Sequence, residues 1–143
     1  QTTNDPVWNA LVPELSVTNF STSLDFYQTM LGFEVRHQRT DPAFAYLVLG
    51  PVQIMLEQAS EESWMTGALV PPLGRGINFQ IELDDLSPIY ARLKGASYPL
   101  FEEMAENWYE AGEALSGQRE FLVQDPDGYL LRFTQYLGEK PTD

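Results

Sequence analysis

One pattern of segments is written twice along this chain, and that repetition restricts the fold more than any other feature. Val17-Thr18-Asn19-Phe20-Ser21 aligns with Leu83-Asp84-Asp85-Leu86-Ser87. Leu31-Gly32 aligns with Leu93-Lys94-Gly95, and YLVLGPVQIMLEQ with FLVQDPDGYLLRFTQ. Each half starts with alternation. Residues 10–17 place Leu11, Pro13, Leu15 and Val17 on one side, the period of a strand with one buried face. A helical segment follows, STSLDFYQTML, with Leu24, Tyr27, Met30 and Leu31 at helical spacing. Asn19 or Ser21 is placed to cap it and Gly32 to end it. FEVRHQRT, AFAYLVLG and VQIMLEQ then read as three strands, broken at Asp41-Pro42 and Gly50-Pro51.

The second half restarts at INFQIEL. A helix over LSPIYARLKG follows, capped by Asp84, Asp85 or Ser87 and ended by Gly95. ASYPLFE reads as a short strand, and REFLVQ and YLLRFTQY as two strands around the turn DPDG. Residues 59–75 and 103–117 show no period and are expected to be irregular. Residues 1–8 read as a loose or docking arm. The expected class is α+β: two βαβββ modules forming one curved mixed sheet, a half-open barrel with helices on its convex side. At 143 residues the chain is expected to be a single domain, 1–143. Module 1 would cover about 9–58, a linker about 59–75, and module 2 about 76–137.

Charge narrows the partners. Eight Lys and Arg face 21 Asp and Glu, a net charge of −13. Such a chain repels a phosphate backbone, so nucleic acid is excluded and a cationic partner is favoured. Solubility is the alternative reading of the same acidity. There is no Cys, which excludes disulfides, thiolate zinc sites and a cysteine nucleophile, and fits a reducing compartment. No run approaches the ~20 apolar residues that span a bilayer. QTTNDPVWNA lacks the basic start and apolar core of a signal peptide, although a first residue other than Met leaves room for a removed leader. The expectation is a cytoplasmic protein with no membrane partner. His37 is the one histidine, and no GxSxG elbow or phosphate loop accompanies it.

Alternation also assigns a polar sheet face. It carries Glu14, Ser16, Gln53, Met55 and Glu57 in the first half, and Asn78, Gln80, Glu82, Arg132 and Thr134 in the second. A sheet with one wet face accounts for this pattern; curvature would turn the same face into a ligand cup. Arg132 reads as the counter-charge of Glu14 or Glu57, because an unpaired buried charge is expensive. Two carboxylates could equally capture an amine or guanidinium on a ligand. The stretch 103–117 mixes Glu103, Glu106 and Glu110 with Trp108 and Tyr109, and Trp64 lies in the other irregular stretch. Acids interleaved with aromatics suit a flat cationic guest.

The opening LVPELSVTNFSTSLDFYQTMLGFEV and the closing GQREFLVQDPDGYLLRFTQ carry a family resemblance. VP-x-L-x-V, a helix with FY, LGFE and REF-x-V-x-DP-x-G together resemble the vicinal oxygen chelate superfamily. This is the glyoxalase, bleomycin-resistance and extradiol dioxygenase group, and the likeness spans residues 11–137. It is greatest to the bleomycin-resistance branch. The resemblance implies paired βαβββ modules, usually in a homodimer. Enzymes of the group hold a divalent metal with four His and Glu side chains, which align here with Val12, Met55, Asn78 and Arg132. None of these is a usual ligand, so no metal, no cofactor and no catalytic residue are expected. A two-residue slip would instead offer Glu14, Glu57 and Gln80 to a weakly held hard cation. Bleomycin-resistance proteins hold their drug in grooves lined by aromatic and acidic groups at the dimer interface.

The resulting expectation is a metal-free binding protein that sequesters a cationic or aromatic small molecule such as an antibiotic. Its candidate ligand-binding residues are Glu14, Glu57, Asn78, Gln80, Trp108, Tyr109 and Arg132. The alternative is a glyoxalase- or dioxygenase-like metalloenzyme with a relocated metal site. A third reading is a binding module for an unrelated metabolite.

Overall fold

The structure, a computed structural model, describes residues 5–142. The backbone divides into two units, one ending at Thr66 and the other starting at Gly67. Unit 1 contains β1 (Glu14–Val17), α1 (Phe20–Asp25), β2 (Glu34–Thr40), β3 (Ala43–Leu49) and β4 (Val52–Gln58). Unit 2 contains β5 (Asn78–Glu82), α2 (Ser87–Gly95), β6 (Glu102–Ala111), β7 (Ala114–Gln124) and β8 (Leu130–Pro141). Each unit forms one open four-stranded sheet, in the orders β1-β4-β3-β2 and β5-β8-β7-β6. β1 runs parallel to β4 and β5 to β8, and the other pairs are antiparallel. The sequence repeat is therefore a repeat of topology, an α+β fold in two βαβββ modules.

Local chemistry explains the helices. The Asn19 side chain accepts from the Thr22 N–H at 3.1 Å, a cap for the first turn of α1. The helix continues as a π-helical turn, Phe26–Met30, in which the Leu31 N–H reaches the Phe26 carbonyl. Gly32, at φ 85°, then ends it. Phe26, Tyr27 and Leu31 are buried, as are Leu15, Val17, Leu47 and Leu56 of the sheet. Each such side chain contributes about 1.5–3 kcal/mol of burial. Before α2, the Asp85 carboxylate accepts from the Ser87 N–H, and the Leu86 N–H is taken by Gln135 of β8. The α2 residues Ile89 and Leu93 are buried, the Tyr90 ring meets Phe121, and Phe121 stacks on Phe133.

Three expectations are corrected. Residues 103–117 are ordered: most of them form β6 and the start of β7. The short strand expected over ASYPLFE is a loop until Glu102. β6 is the end strand of its sheet and is largely exposed, so it lacks the alternation that marks a half-buried strand. Finally, two residues expected on a wet face are buried: Thr134 is 0% exposed, and Gln53 is only 5% exposed. Its amide donates to the Val7 carbonyl at 2.7 Å, and its carbonyl accepts from the Asn9 N–H at 2.9 Å and from the Tyr46 hydroxyl. Trp8 packs edge-on against Tyr46, with the Arg36 guanidinium 4.8 Å from the Trp8 ring centroid. The arm is thus docked over residues 7–9, and its residues 1–4 lie outside the described ones.

Candidate functional site

In unit 2 the DPDG turn sets the register of β7 against β8. The Asp125 carboxylate accepts from the Asp127 and Tyr129 N–H groups, each at 2.9 Å, and fixes the turn. Counting outward, Gln124 faces Leu130, Leu122 faces Arg132 and Glu120 faces Thr134. Glu120 is therefore the diagonal neighbour of Arg132 on one face. Arg132 Nε donates to Glu120 Oε1 at 2.7 Å. Glu120 Oε2 accepts from Asn107 Nδ2 at 2.9 Å and from the Tyr109 hydroxyl. These groups line a cleft of about 450 Å³, together with Asn78, Glu102 and Glu103. Gln80 Oε1 lies 3.4 Å from Arg132 Nη1, a long contact.

Glu120 is 5% exposed. Burial alone would raise its pKa, but donation from Tyr109, Arg132 and Asn107 holds the carboxyl below the usual range. The hydrogen bond to Glu120 pushes the Arg132 guanidinium and the Tyr109 hydroxyl upward in turn. The pair stays charged and fixed. Glu120 is occupied by three donors, while the Tyr109 ring remains 44% exposed at the rim.

Unit 1 carries a second cleft, of about 330 Å³, lined by Glu14, Ser16, Arg39, Glu57, Glu62 and Trp64, with Ser63 completing it. The pairing of β1 with β4 sets Ser16 opposite Glu57 and Glu14 opposite Met55, so the two carboxylates are diagonal neighbours. Neither has a hydrogen-bond or ion-pair partner among the described residues. Burial first, then the negative charge of Glu57, raises the Glu14 pKa, and Arg39 offsets part of this. Trp64 is 96% exposed.

The family model described as Glyoxalase/Bleomycin resistance protein/Dioxygenase superfamily matches residues 10–133. The chain belongs to that superfamily. Curated relatives named bleomycin resistance protein, from Geobacillus stearothermophilus and Staphylococcus aureus, are 28% identical over 136 residues, spanning 88% of this chain and 96% of theirs. The crystal structure of TioX from Micromonospora sp. ML1 matches with a TM-score of 0.68 at 20% identity, covering 91% of this chain and 100% of that one. A glyoxalase/bleomycin resistance protein/dioxygenase from Alicyclobacillus acidocaldarius matches with a TM-score of 0.65 at 18% identity, covering 90% and 92%. These two structures show a shared fold.

Superfamily membership fixes the fold and leaves the chemistry to the site. The residues that the resemblance aligns with the superfamily's metal ligands do not together suit a divalent cation. Val12 has no donor atom, Arg132 is a cation bound to Glu120, Met55 offers a thioether, and the Asn78 amide oxygen alone is a usual hard-cation ligand. Among the described residues, no three His, Asp or Glu side chains converge as a ligand set. Of the slipped set, Glu14 and Glu57 share a cleft in unit 1, and within unit 2 Gln80 stands beside Arg132.

Of the residues picked out from the sequence, Asn78, Tyr109 and Arg132 line the unit 2 cleft, Gln80 borders it, and Glu14 and Glu57 line the unit 1 cleft. Trp108 lies apart from Tyr109 because adjacent strand residues face opposite ways. Its ring covers Gly117, its Nε1 donates to Glu106 at 2.8 Å, and Lys140 Nζ is 4.1 Å from the ring centroid. The counter-charge of Arg132 is Glu120, not Glu14 or Glu57. Glu120 and Asn107 were not legible as site residues from composition. The signal for Glu120 was the distance of each strand residue from DPDG, which makes residues 120 and 132 diagonal.

Proposed function

We propose that this chain is a metal-free small-molecule binding protein of the bleomycin-resistance type, sequestering a cationic, aromatic ligand without changing it. The observation that carries the reading is the unit 1 cleft, where Glu14 and Glu57 stand as diagonal carboxylates with no ion pair among the described residues, with Arg39 on the same lining and beside the exposed indole of Trp64. Three carboxylates to one guanidinium, next to an open aromatic face, suit a flat cation through ionic attraction and stacking. The names of the curated relatives support the same class of ligand. The protein acts as a cytoplasmic homodimer in this reading, and the Tyr109 ring offers a further stacking surface.

The test is calorimetric titration with metal-free and copper-loaded bleomycin at low and moderate salt. Charge attraction is screened over about 8–10 Å at physiological ionic strength, so affinity should fall as salt rises. Replacing both Glu14→Gln and Glu57→Gln should flatten that dependence. Chromatography should recover the drug intact, and light scattering should give twice the chain mass. No binding of either form, or conversion of the drug, overturns the reading.

A further inference from the structure

We propose that a further pocket, beside the DPDG turn of unit 2, receives a quaternary ammonium cation. It shares no lining residue with either cleft described above, and the proposal does not depend on what those clefts bind. The pocket measures about 640 Å³ and is walled by Pro71 and Pro72, by residues 98–101 and by the turn 124–128. Its walls are tied to one another and to the sheet. The Leu73 N–H donates to the Asp127 carbonyl at 2.8 Å, the Phe101 N–H to the Leu122 carbonyl at 2.8 Å, and the Tyr98 hydroxyl to the Gln124 carbonyl at 2.7 Å. Gly128 is seated so closely that a Cβ there would lie 2.5 Å from Pro72. The pocket is therefore formed before a guest arrives, which lowers the cost of binding.

Most polar groups of this wall are spent on the protein. Pro71, Pro72, Pro99 and Pro126 have no N–H. The N–H groups of Tyr98, Phe101 and Gly128 donate to the carbonyls of Leu93, Leu122 and Asp125, and that of Asp127 to the Asp125 carboxylate. Carbonyls are taken as well: those of Pro71 and Pro72 by Arg75, and that of Gly128 by the Gln124 amide. An anion finds few donors here, and a primary ammonium, with three N–H donors, would lose its water without replacement. The local charge is nevertheless negative. Asp125 and Asp127 stand against the guanidinium of Arg75, in a chain of net charge −13. Burial first, then the charge of Asp125, pushes the Tyr98 hydroxyl up to about 12, so the field reaches the wall. A negative field with its hydrogen-bonding groups already used suits a cation that carries no N–H. The rings of Tyr98 and Phe101, the second 54% exposed, supply aromatic carbon for its methyl groups.

The probe is choline, titrated into the full chain by calorimetry and by ¹H–¹⁵N spectra at constant ionic strength. Three compounds are compared with it. Dimethylbutanol replaces the charged nitrogen by carbon at the same shape, ethanolamine keeps the charge but adds N–H groups, and phosphocholine adds the phosphate of a lipid headgroup. Choline should shift the amides of Leu100, Phe101 and Gly128. It should bind about five-fold or more tighter than dimethylbutanol, the scale of one cation–π contact. Ethanolamine and phosphocholine should both bind more weakly than choline. Phe101→Ala, at an exposed ring, should weaken choline by about the same factor, and Phe101→Tyr should restore it, with thermal melts recorded for both. Equal binding of choline and dimethylbutanol to the wild-type chain overturns the assignment and needs no variant. So does failure of choline to shift these amides at millimolar concentration, or unchanged choline affinity in a folded Phe101→Ala chain. Tighter binding of ethanolamine or phosphocholine removes the argument from spent polar groups and the assignment with it. Shifts centred on the amides of Glu14 and Glu57 instead would put the cation in the unit 1 cleft and overturn the proposal while leaving the reading of that cleft intact.

Discussion

A methyl group added at Gly117 should destabilise the chain while Trp108 is present and stabilise it once Trp108 is gone. A Cβ at Gly117 would lie 2.5 Å from two atoms of the Trp108 ring and 2.7 Å from a third. Carbon atoms pack at about 3.5–4.0 Å, so the indole must lift by about 1 Å. Lifting it strains the 2.8 Å bond from Nε1 to Glu106 and loosens the Lys140 contact over the ring. Overpacking of this kind costs about 1–3 kcal/mol. With Trp108→Ala the obstruction is gone, and Ala in a strand interior is better than Gly by roughly 0.5–1 kcal/mol. The two substitutions should therefore couple by about 2 kcal/mol or more, far above the scatter of independent sites. Urea unfolding followed by circular dichroism on the four members of the cycle reads this from the midpoints at unchanged slope. If Gly117→Ala shifts the midpoint in the same direction in both backgrounds, the account of Trp108 as a ring seated on a bare backbone is wrong.

Other outcomes follow from the same geometry. Glu120 has a folded-state pKa below its unfolded value, so its charge stabilises the fold above about pH 4.3, and that stability is lost as pH falls through the lower folded pKa. The stability gap between wild type and Glu120→Gln should be full at pH 7 and shrink below about pH 4 in denaturant titrations. Glu14 has the opposite sign: its raised folded pKa gives stability that is full below the unfolded value and lost as pH rises through the folded one. Glu14→Gln should thus gain roughly a few tenths of a kcal/mol at pH 7 and nothing at pH 3, read from thermal melts. Gln53→Ala removes the buried amide that ties down Val7 and Asn9, costs about 1–3 kcal/mol, and should make limited proteolysis cut near Trp8 faster than in wild type.

The fold was legible wherever a strand buries one face. Val52–Gln58 and Asn78–Glu82 alternate because one side of each packs into a core. The stretch from Glu102 to Ala111 was not legible, because an exposed end strand has no apolar side to betray its period. Its membership of the sheet comes from backbone pairing with β7, which composition does not encode. The site divides in the same way. Alternation put Arg132 and Asn78 on the correct face, but the partner of Arg132 depends on which strand lies beside β8. Glu120 comes from β7, an antiparallel neighbour fixed by the turn. In an irregular stretch Trp108 and Tyr109 read as one aromatic feature. As a strand they are two features, one seated on Gly117 and one at the cleft.

β6 is ten residues long and sits at the end of its sheet, a row of backbone groups that another chain could extend by edge-to-edge pairing. The sequence there carries Glu102, Glu103, Glu106 and Glu110. Two copies approaching along this edge would bring eight carboxylates together, and like charges on facing strands repel. Glutamates so placed oppose edge-to-edge association, an effect that does not depend on any ligand. Part of the acidity of this chain thus lies along an end strand, where it sets one copy against another.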